Sequence, residues 1–343
     1  RLRAADWRTA AGGGDKQMKR SLIAIIALLG PLQLAAQNPD LALTQAERDS
    51  ILADYHQIFP IWGRKAIERG FDLPAPFGLN VGLFAASQGI EIANLGLGFN
   101  EPPVPASFIT FKEARAKLTN WNVRADLWVF PFLNVYGIAG TGPGRTTVHV
   151  VEPVEFSTTA EFEGENFGIG LTGAFGFRRN FVVLDWNHQW ASSSLLSAPV
   201  PVNVFSTRVG RGFRLGTRAR RMKGTLWVGT MLQTMKNETV GSIRLAEVVP
   251  PGLDSLFNNY QNSAWYQALP PAQQTLVDKF VQGLQGGLDT TVVNYTLNKK
   301  VADPWNLLVG GTIDYRRHWG LRAEVGFIGR TSAFLMVNYR IKF

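Results

Sequence analysis

The 343-residue chain contains no cysteine. That absence excludes a disulfide scaffold, a thiolate metal centre, a cysteine nucleophile and a lipidated N-terminal cysteine. Charge is also sparse: Asp, Glu, Lys and Arg together make up 18% of residues, below the roughly 25% of an average soluble domain. There are four histidines. His56, His149 and His318 have no metal-ligand spacing around them, so neither a metal nor another cofactor is expected. No apolar run reaches the ~20 residues that a helix needs to cross a bilayer. No Lys/Arg block or phosphate-binding loop occurs either, which leaves nucleic acid outside the expected partners.

What is present favours strands. The chain holds 35 glycines and 11% aromatic residues, a composition better suited to sheets than to helices. At the N-terminal end, "MKRSLIAIIALLGPLQLAAQ" places Lys19 and Arg20 before an apolar stretch from Leu22 to Leu29, and offers the small residues Ala35 and Ala36 before Gln37. This pattern predicts a secretory signal peptide over 18–36, with residues 1–17 as upstream translation of no functional role. Six of the 35 basic and two of the 26 acidic residues fall in 1–36, so the exported part has a net charge of +5 rather than +9.

Residues 37–76 are expected to form a short helical segment. In "LTQAERDSILADYHQIFP", Thr44 and Glu47 have capping-box spacing, Ile51, Tyr55 and Ile58 recur with a helical period, and Pro60 ends the run. From Phe77 the period becomes two. Strands are predicted over 77–86, 111–130, 133–142, 165–177, 181–192, 202–215, 224–245, 305–316, 319–328 and 331–343. The stretch "GIEIANLGLGF" after the first could add another. Connections alternate between tight and long: 130–132, 178–180, 217–221 and 316–319 are tight, while 142–160, 193–201 and 246–302 are long. "GRTS" at 329–332 is the short exception on the long side. In the longest insertion, "PAQQTLVDKFVQGLQGGL" sets Leu276, Phe280, Leu284 and Leu288 at four-residue spacing, the apolar face of an amphipathic helix.

Each strand separates apolar from charged side chains, because successive residues point to opposite faces. Val123, Ala125, Leu127 and Val129 oppose Arg124 and Asp126; Val182, Leu184, Trp186 and Trp190 oppose Asp185, Asn187 and Gln189. The same split puts Arg208, Arg214, Asp314, Arg322, Glu324 and Arg340 on the polar face. Trp128, Phe130, Phe132, Trp186, Trp190, Trp305, Tyr315, Trp319, Phe327, Tyr339 and Phe343 gather near strand ends, as aromatic girdles do. An antiparallel up-and-down transmembrane β-barrel of about ten strands (range 8–12) satisfies these patterns together.

The signal peptide, the tight and long connections and the final "VNYRIKF" resemble Gram-negative outer-membrane β-barrel proteins. The resemblance covers roughly 77–343 and identifies no subfamily. It implies a place in the bacterial outer membrane, among outer-membrane lipids and lipopolysaccharide, with 37–76 periplasmic and 246–302 extracellular. By the same resemblance Tyr339, Ile341 and Phe343 match the terminal signal read by the barrel-assembly machinery. A ten-strand barrel is little wider than the eight-strand kind that side chains fill. Arg124, Asp126, Asp185, Asp314, Arg322, Glu324 and Arg340 are therefore expected to form a charged network that largely plugs the lumen of a structural or surface-binding barrel. A narrow selective channel for small solutes is the alternative, with a small solute or surface ligand as its partner. A lipid-modifying hydrolase is the second: "DWNHQWASSS" sets His188 and Ser192 on one strand face, similar to outer-membrane lipid A deacylases. Trp190 stands where their His-x-Ser spacing would need serine, and Asp185 lies on the other face, so no catalytic residue is assigned.

Overall fold

The computed structural model describes residues 42–177, 179–216, 222–235, 238–250 and 252–342. The expected signal peptide at 18–36, the stretch 1–17, the turn residues 178 and 217–221 and the terminal Phe343 lie outside the described residues.

Thirteen strands are described: β1 Phe77–Phe99, β2 Val104–Pro105, β3 Thr110–Phe130, β4 Leu133–Glu152, β5 Phe156–Phe177, β6 Asn180–Ser193, β7 Val200–Leu215, β8 Met222–Met235, β9 Glu238–Arg244, β10 Val292–Val301, β11 Trp305–Tyr315, β12 Trp319–Phe327 and β13 Arg330–Ile341. Ten of them close a ring in the order β1, β3, β4, β5, β6, β7, β8, β11, β12, β13 and back to β1. Every pairing is antiparallel. The closing seam runs without interruption from Phe77 opposite Ile341 to Gln88 opposite Arg330. Closure leaves no strand edge around the ring, which is the condition for a sheet to sit in hydrocarbon.

The walls differ in height. β11, β12 and β13 have 11, 9 and 12 residues, close to the ~9–11 that a tilted strand needs to span a bilayer. β1, β3, β4 and β5 have 23, 21, 20 and 22, about twice that length, so this side extends well past the span. Beyond Gln88, β1 loses β13 as a neighbour and pairs with β10 instead, from Ile90 opposite Val301 to Phe99 opposite Val293. β9 then adds to β10. The run expected as one strand over 224–245 is therefore two, β8 inside the ring and β9 outside it. "GIEIANLGLGF" continues β1 rather than starting a new strand. The expected long link over 142–160 is also corrected: β4 and β5 stay paired from Gly142 opposite Gly164 to Val150 opposite Phe156. The "TGPG" that looks like a turn is a strand segment in which Gly142 presses against the Thr119 carbonyl, leaving no room for a Cβ.

Two tight connections at opposite ends show the same geometry. Arg316 and Arg317 have φ of 52° and 65°, and Ile328 and Gly329 have 65° and 82°, the paired positive values of two-residue hairpins.

Outward residues form an apolar belt. Leu79, Val81, Val123, Ile169, Leu226 and Val228 are exposed along it. Trp121, Phe167, Trp190, Trp305 and Phe327 stand toward the long-loop end, and Phe132, Phe175, Phe213, Tyr315, Trp319 and Tyr339 toward the tight-turn end. Trp128, expected in a girdle, instead faces the lumen and borders a cavity at the tight-turn mouth. Above the belt the outer face of the tall wall becomes charged, with exposed Lys117 opposite Arg145 and Arg145 opposite Glu161.

The segment before β1 docks on the tight-turn end. Helix α1, Gln45–Ala53, starts at the Thr44–Glu47 capping box and stops at Asp54, short of the expected Pro60. A second helix that periodicity did not show, α2 Gly63–Glu68, follows. The Ile61 N–H donates to the Val129 carbonyl at 2.8 Å, and Trp62 packs against Phe130 with ring centroids 5.0 Å apart.

The insertion after β9 covers the other end. It contains short 3-10 turns, helix α3 Ala264–Gln267, helix α4 Pro271–Gly286 and β10, so it is mixed rather than purely helical. Leu276 and Leu284 of the expected apolar face are buried, as are Val277 and Val281. Phe280 is half-buried, and Leu288 lies past the helix end but packs on the same cluster. These side chains meet Phe99, Ile243, Leu245, Leu253, Phe257 and Val293, which roof the long-strand end.

The closing seam is open to a direct test because the chain has no native cysteine. Val81 and Val337 are cross-strand partners on the outer face. The pair Val81→Cys with Val337→Cys is expected to form an intramolecular disulfide in the folded barrel, seen as a gel shift under mild oxidation. Val81→Cys with Met336→Cys, whose side chains point to opposite faces, is the control. A control that cross-links as well as the cross-strand pair would contradict this register.

Candidate functional site

The lumen is built in layers from inward-facing residues. At the tight-turn mouth Asp72, just before β1, forms ion pairs with Lys223 of β8 and Arg317 of the β11–β12 turn. One residue of the N-terminal segment is thus tied to the rim where β8 and β11 are neighbours. A cavity of about 320 Å³ lies beside it, bordered by Asp314, Arg214 and Trp128. Deeper in, Arg340 donates to the Ala75 carbonyl and to Asp126 Oδ1, both at 2.7 Å. Asp126 also accepts from Asn134 at 2.6 Å and from Asn80 at 2.8 Å. The space exists because residue 78 is glycine: a Cβ there would stand 2.6 Å from Asp126 Oδ2 and 2.8 Å from Arg340 Nη1.

Two further clusters stand in the bore. Asp185 accepts from the Tyr136 hydroxyl at 3.0 Å and from Thr172 at 2.6 Å. Arg124 donates to Asn134 at 3.0 Å and lies 3.5 Å above the Tyr136 ring. Gly170 gives that ring its place, since a Cβ there would overlap it. In the second cluster Glu324 accepts from Arg208 Nε at 2.7 Å and Nη2 at 2.9 Å, from Arg322 at 2.9 Å and from Trp227 Nε1 at 2.8 Å. A buried carboxylate held by four donors is well compensated, and each donor is fixed in return.

Of the residues singled out in the sequence, Arg124, Asp126, Asp185, Arg322, Glu324 and Arg340 stand in these clusters, and Asp314 borders the mouth cavity. Sequence reading missed Tyr136 and Trp227, which sit mid-strand on the inward face, and Asp72, which lies in a linker. Alternation within their own strands reaches the first two: Tyr136 shares a face with Asn134 on β4, and Trp227 with Thr225 and Met231 on β8. Nothing local marks Asp72.

Above these clusters the inward face changes character. On β1, Gly78, Asn80 and Gly82 give way to Phe84, Ala86, Gln88, Ile90 and Ile92; on β5, Thr172 and Asn166 give way to Phe162 and Ala160. The result is a chamber of about 730 Å³ walled by Phe84, Ile90, Leu118, Val148 and Val204, and roofed by Leu245, Phe257, Leu276 and Phe280. That volume lies within the roughly 300–1,000 Å³ of small-molecule sites. Most of its wall is apolar, and the polar residues that border it include Gln88, Asn120, Asn166, Gln189, Gln233, Lys299 and Arg330. Lys299, on β10 above the closing seam, has its pKa pushed down by burial. Tyr295 on the same strand donates its hydroxyl to the Leu195 carbonyl at 2.8 Å, and burial pushes its pKa up to about 12.

His188 sits away from both regions. Its Nδ1 is 2.9 Å from the Asn203 side-chain oxygen and its ring meets Trp190 edge-on at 4.6 Å. His149 lies in β4, not a loop, with Ser157 at 2.7 Å and Glu155 at 3.1 Å. Tyr339 of the expected assembly signal is outward and packs on Trp319 at 4.7 Å, and Ile341 is the last residue of β13.

No family model and no curated protein matches the chain. Among solved structures it is similar to the β-domain of the Bordetella autotransporter BrkA, at 10% identity, covering 78% of this chain and 100% of that one, TM-score 0.37. It is similar to the outer membrane protein OprG of Pseudomonas aeruginosa at 9% identity, over 78% and 98%, TM-score 0.35. The Pseudomonas putida toluene transporter TodX aligns at 7% identity, over 88% and 94%, TM-score 0.27. Likeness this low carries no weight. The assignment rests on the ring itself: a closed antiparallel ten-strand barrel with an apolar belt between aromatic girdles is an outer-membrane barrel, and this chain is a protein of the bacterial outer membrane.

Glu324→Gln is expected to destabilise the barrel by about 3–5 kcal/mol, because Arg208 and Arg322 are left buried without their carboxylate. Urea unfolding in lipid vesicles measures it. A variant equal to the parent would show that the cluster contributes nothing to stability.

Proposed function

We propose that this outer-membrane barrel is a surface-binding protein that takes an apolar small molecule into the chamber and does not conduct. The observation that carries this reading is the change of polarity along the lumen. Below, ion pairs and hydrogen bonds fill the bore; above, a roofed apolar space of about 730 Å³ remains. A conducting path is favoured by polar groups along its length, and most of the chamber wall is apolar. An apolar ligand gains there by leaving water, with no polar group to desolvate on most of its surface.

The same reading sets the sidedness. The tight turns, the N-terminal segment and Asp72 face the periplasm, and the tall wall with its insertion faces outward, in keeping with the short-turn, long-loop asymmetry of such barrels. Lys117, Arg145 and Glu161 then stand at the height of lipopolysaccharide headgroups, the proposed surroundings of this face. Tyr339 and Ile341 remain proposed contacts for the barrel-assembly machinery. Hydrolase chemistry finds no support at His188, whose Nδ1 meets an amide oxygen rather than a carboxylate.

Refolded full-length protein titrated with N-phenyl-1-naphthylamine is expected to show saturable one-site binding and no discrete openings in a planar bilayer. Val204→Trp, which fills the chamber from β7, should weaken that binding by about tenfold or more while the barrel keeps its heat-modifiable gel mobility. Non-saturable uptake, or steady single-channel currents, would overturn the reading in favour of a channel.

A further inference from the structure

Arg330 opens β13 and borders the chamber. Its residue surface is only 9% exposed. The guanidinium carbon stands 5.3 Å over the Phe84 ring. Nη1 donates to the Gln233 side-chain oxygen. Nη2 reaches Met231 Sδ at 3.3 Å, and a thioether is a weak acceptor. Nε is buried with no hydrogen-bond partner among the described residues. Among the described residues the Nε/Nη2 side of this guanidinium therefore faces no oxygen acceptor.

That side is the one that grips a carboxylate through two parallel hydrogen bonds. Arg208 shows the satisfied form in the same lumen, with Nε and Nη2 on the two oxygens of Glu324 at 2.7 and 2.9 Å. Arg124 and Arg322 also have a buried Nε without a partner, but they are held otherwise. Arg322 is paired with Glu324, and Arg124 lies on the Tyr136 ring. Neither borders the chamber. Arg330 has no carboxylate within ion-pair distance among the described residues, and a buried cation in apolar surroundings is destabilising until an anion meets it.

Resting on the binding reading above, we propose that the chamber's ligand is an amphiphilic carboxylate. Its aliphatic chain lies along the apolar walls and its head group displaces the Met231 thioether to accept two hydrogen bonds from Arg330 Nε and Nη2. Gln88, the cross-strand partner of Arg330, also borders the chamber and has an amide to offer the same head group. Lys299 adds a second positive charge to the wall. An uncharged chain of equal length fills the same walls but leaves the guanidinium edge unanswered.

Displacement of N-phenyl-1-naphthylamine from the refolded full-length barrel at pH 8 by decanoate and by decanol separates the two cases. Decanoate is expected to displace the probe at a concentration about tenfold lower than decanol. Arg330→Met should remove that preference while still binding the probe, and Arg330→Lys should keep part of it. With carboxyl-labelled decanoate, the carbon-13 shift of the bound head group should titrate about one pH unit below that of the free acid; this reading needs no variant to fold. Equal displacement by decanoate and decanol, an Arg330→Met barrel that keeps the preference, or an unshifted titration overturns the carboxylate proposal and leaves the apolar chamber standing. Failure of the probe itself to bind overturns both.

Discussion

Backbone hydrogen bonding in hydrocarbon governs this structure. Within the belt no water is available to an unpaired N–H or C=O, so each strand must have two neighbours and the first must meet the last. The β1–β13 seam supplies that condition. Once the ring is shut, every side chain along it has two destinations, lipid or lumen, and the chain's sparse charge has only the second. Val81 and Val337 face out as a consequence of the same register that turns Asn80 and Asn338 inward, where they share a hydrogen bond.

A narrow bore then concentrates charge, and compensation decides which residues stay together. Asp126 collects Arg340, Asn80 and Asn134; Glu324 collects Arg208, Arg322 and Trp227. Glycines at 78 and 170 give those side chains room to cross the bore. Where β1 and β3–β5 rise beyond the short strands, inward positions become Phe, Ile, Val and Leu. Such a wall cannot be left open to water without loss of its apolar burial. The β9–β10 extension and helix α4 cover it, and the chamber is what remains between the charged clusters and that cover.

Much of the ring was legible in the sequence because period two is unambiguous where one face meets lipid. Arg124 opposite Val123, or Arg322 opposite Leu321, announces its side without any partner being known. Legibility failed where alternation stopped being a matter of membrane. "TGPG" reads as a turn, yet neighbouring strands hold it extended. The break between β8 and β9 changes which strand is the neighbour, and no local pattern records that. Trp128 near a strand end looked like a girdle residue, but parity places it inward. Arg330 stands first in its strand, next to a glycine turn, and so resembled a loop cation. Its meaning depends on Phe84, Met231 and Gln233, which come from two other strands.

The central claim is that the upper lumen is a dry apolar chamber above a polar plug rather than a water-filled pore. A single nitroxide at Leu118→Cys, placed on an inward chamber position of this cysteine-free chain, tests it by power-saturation electron paramagnetic resonance in lipid vesicles. The account predicts ready collision with oxygen and little with a water-soluble nickel chelate. Free access of the chelate to that position would contradict it.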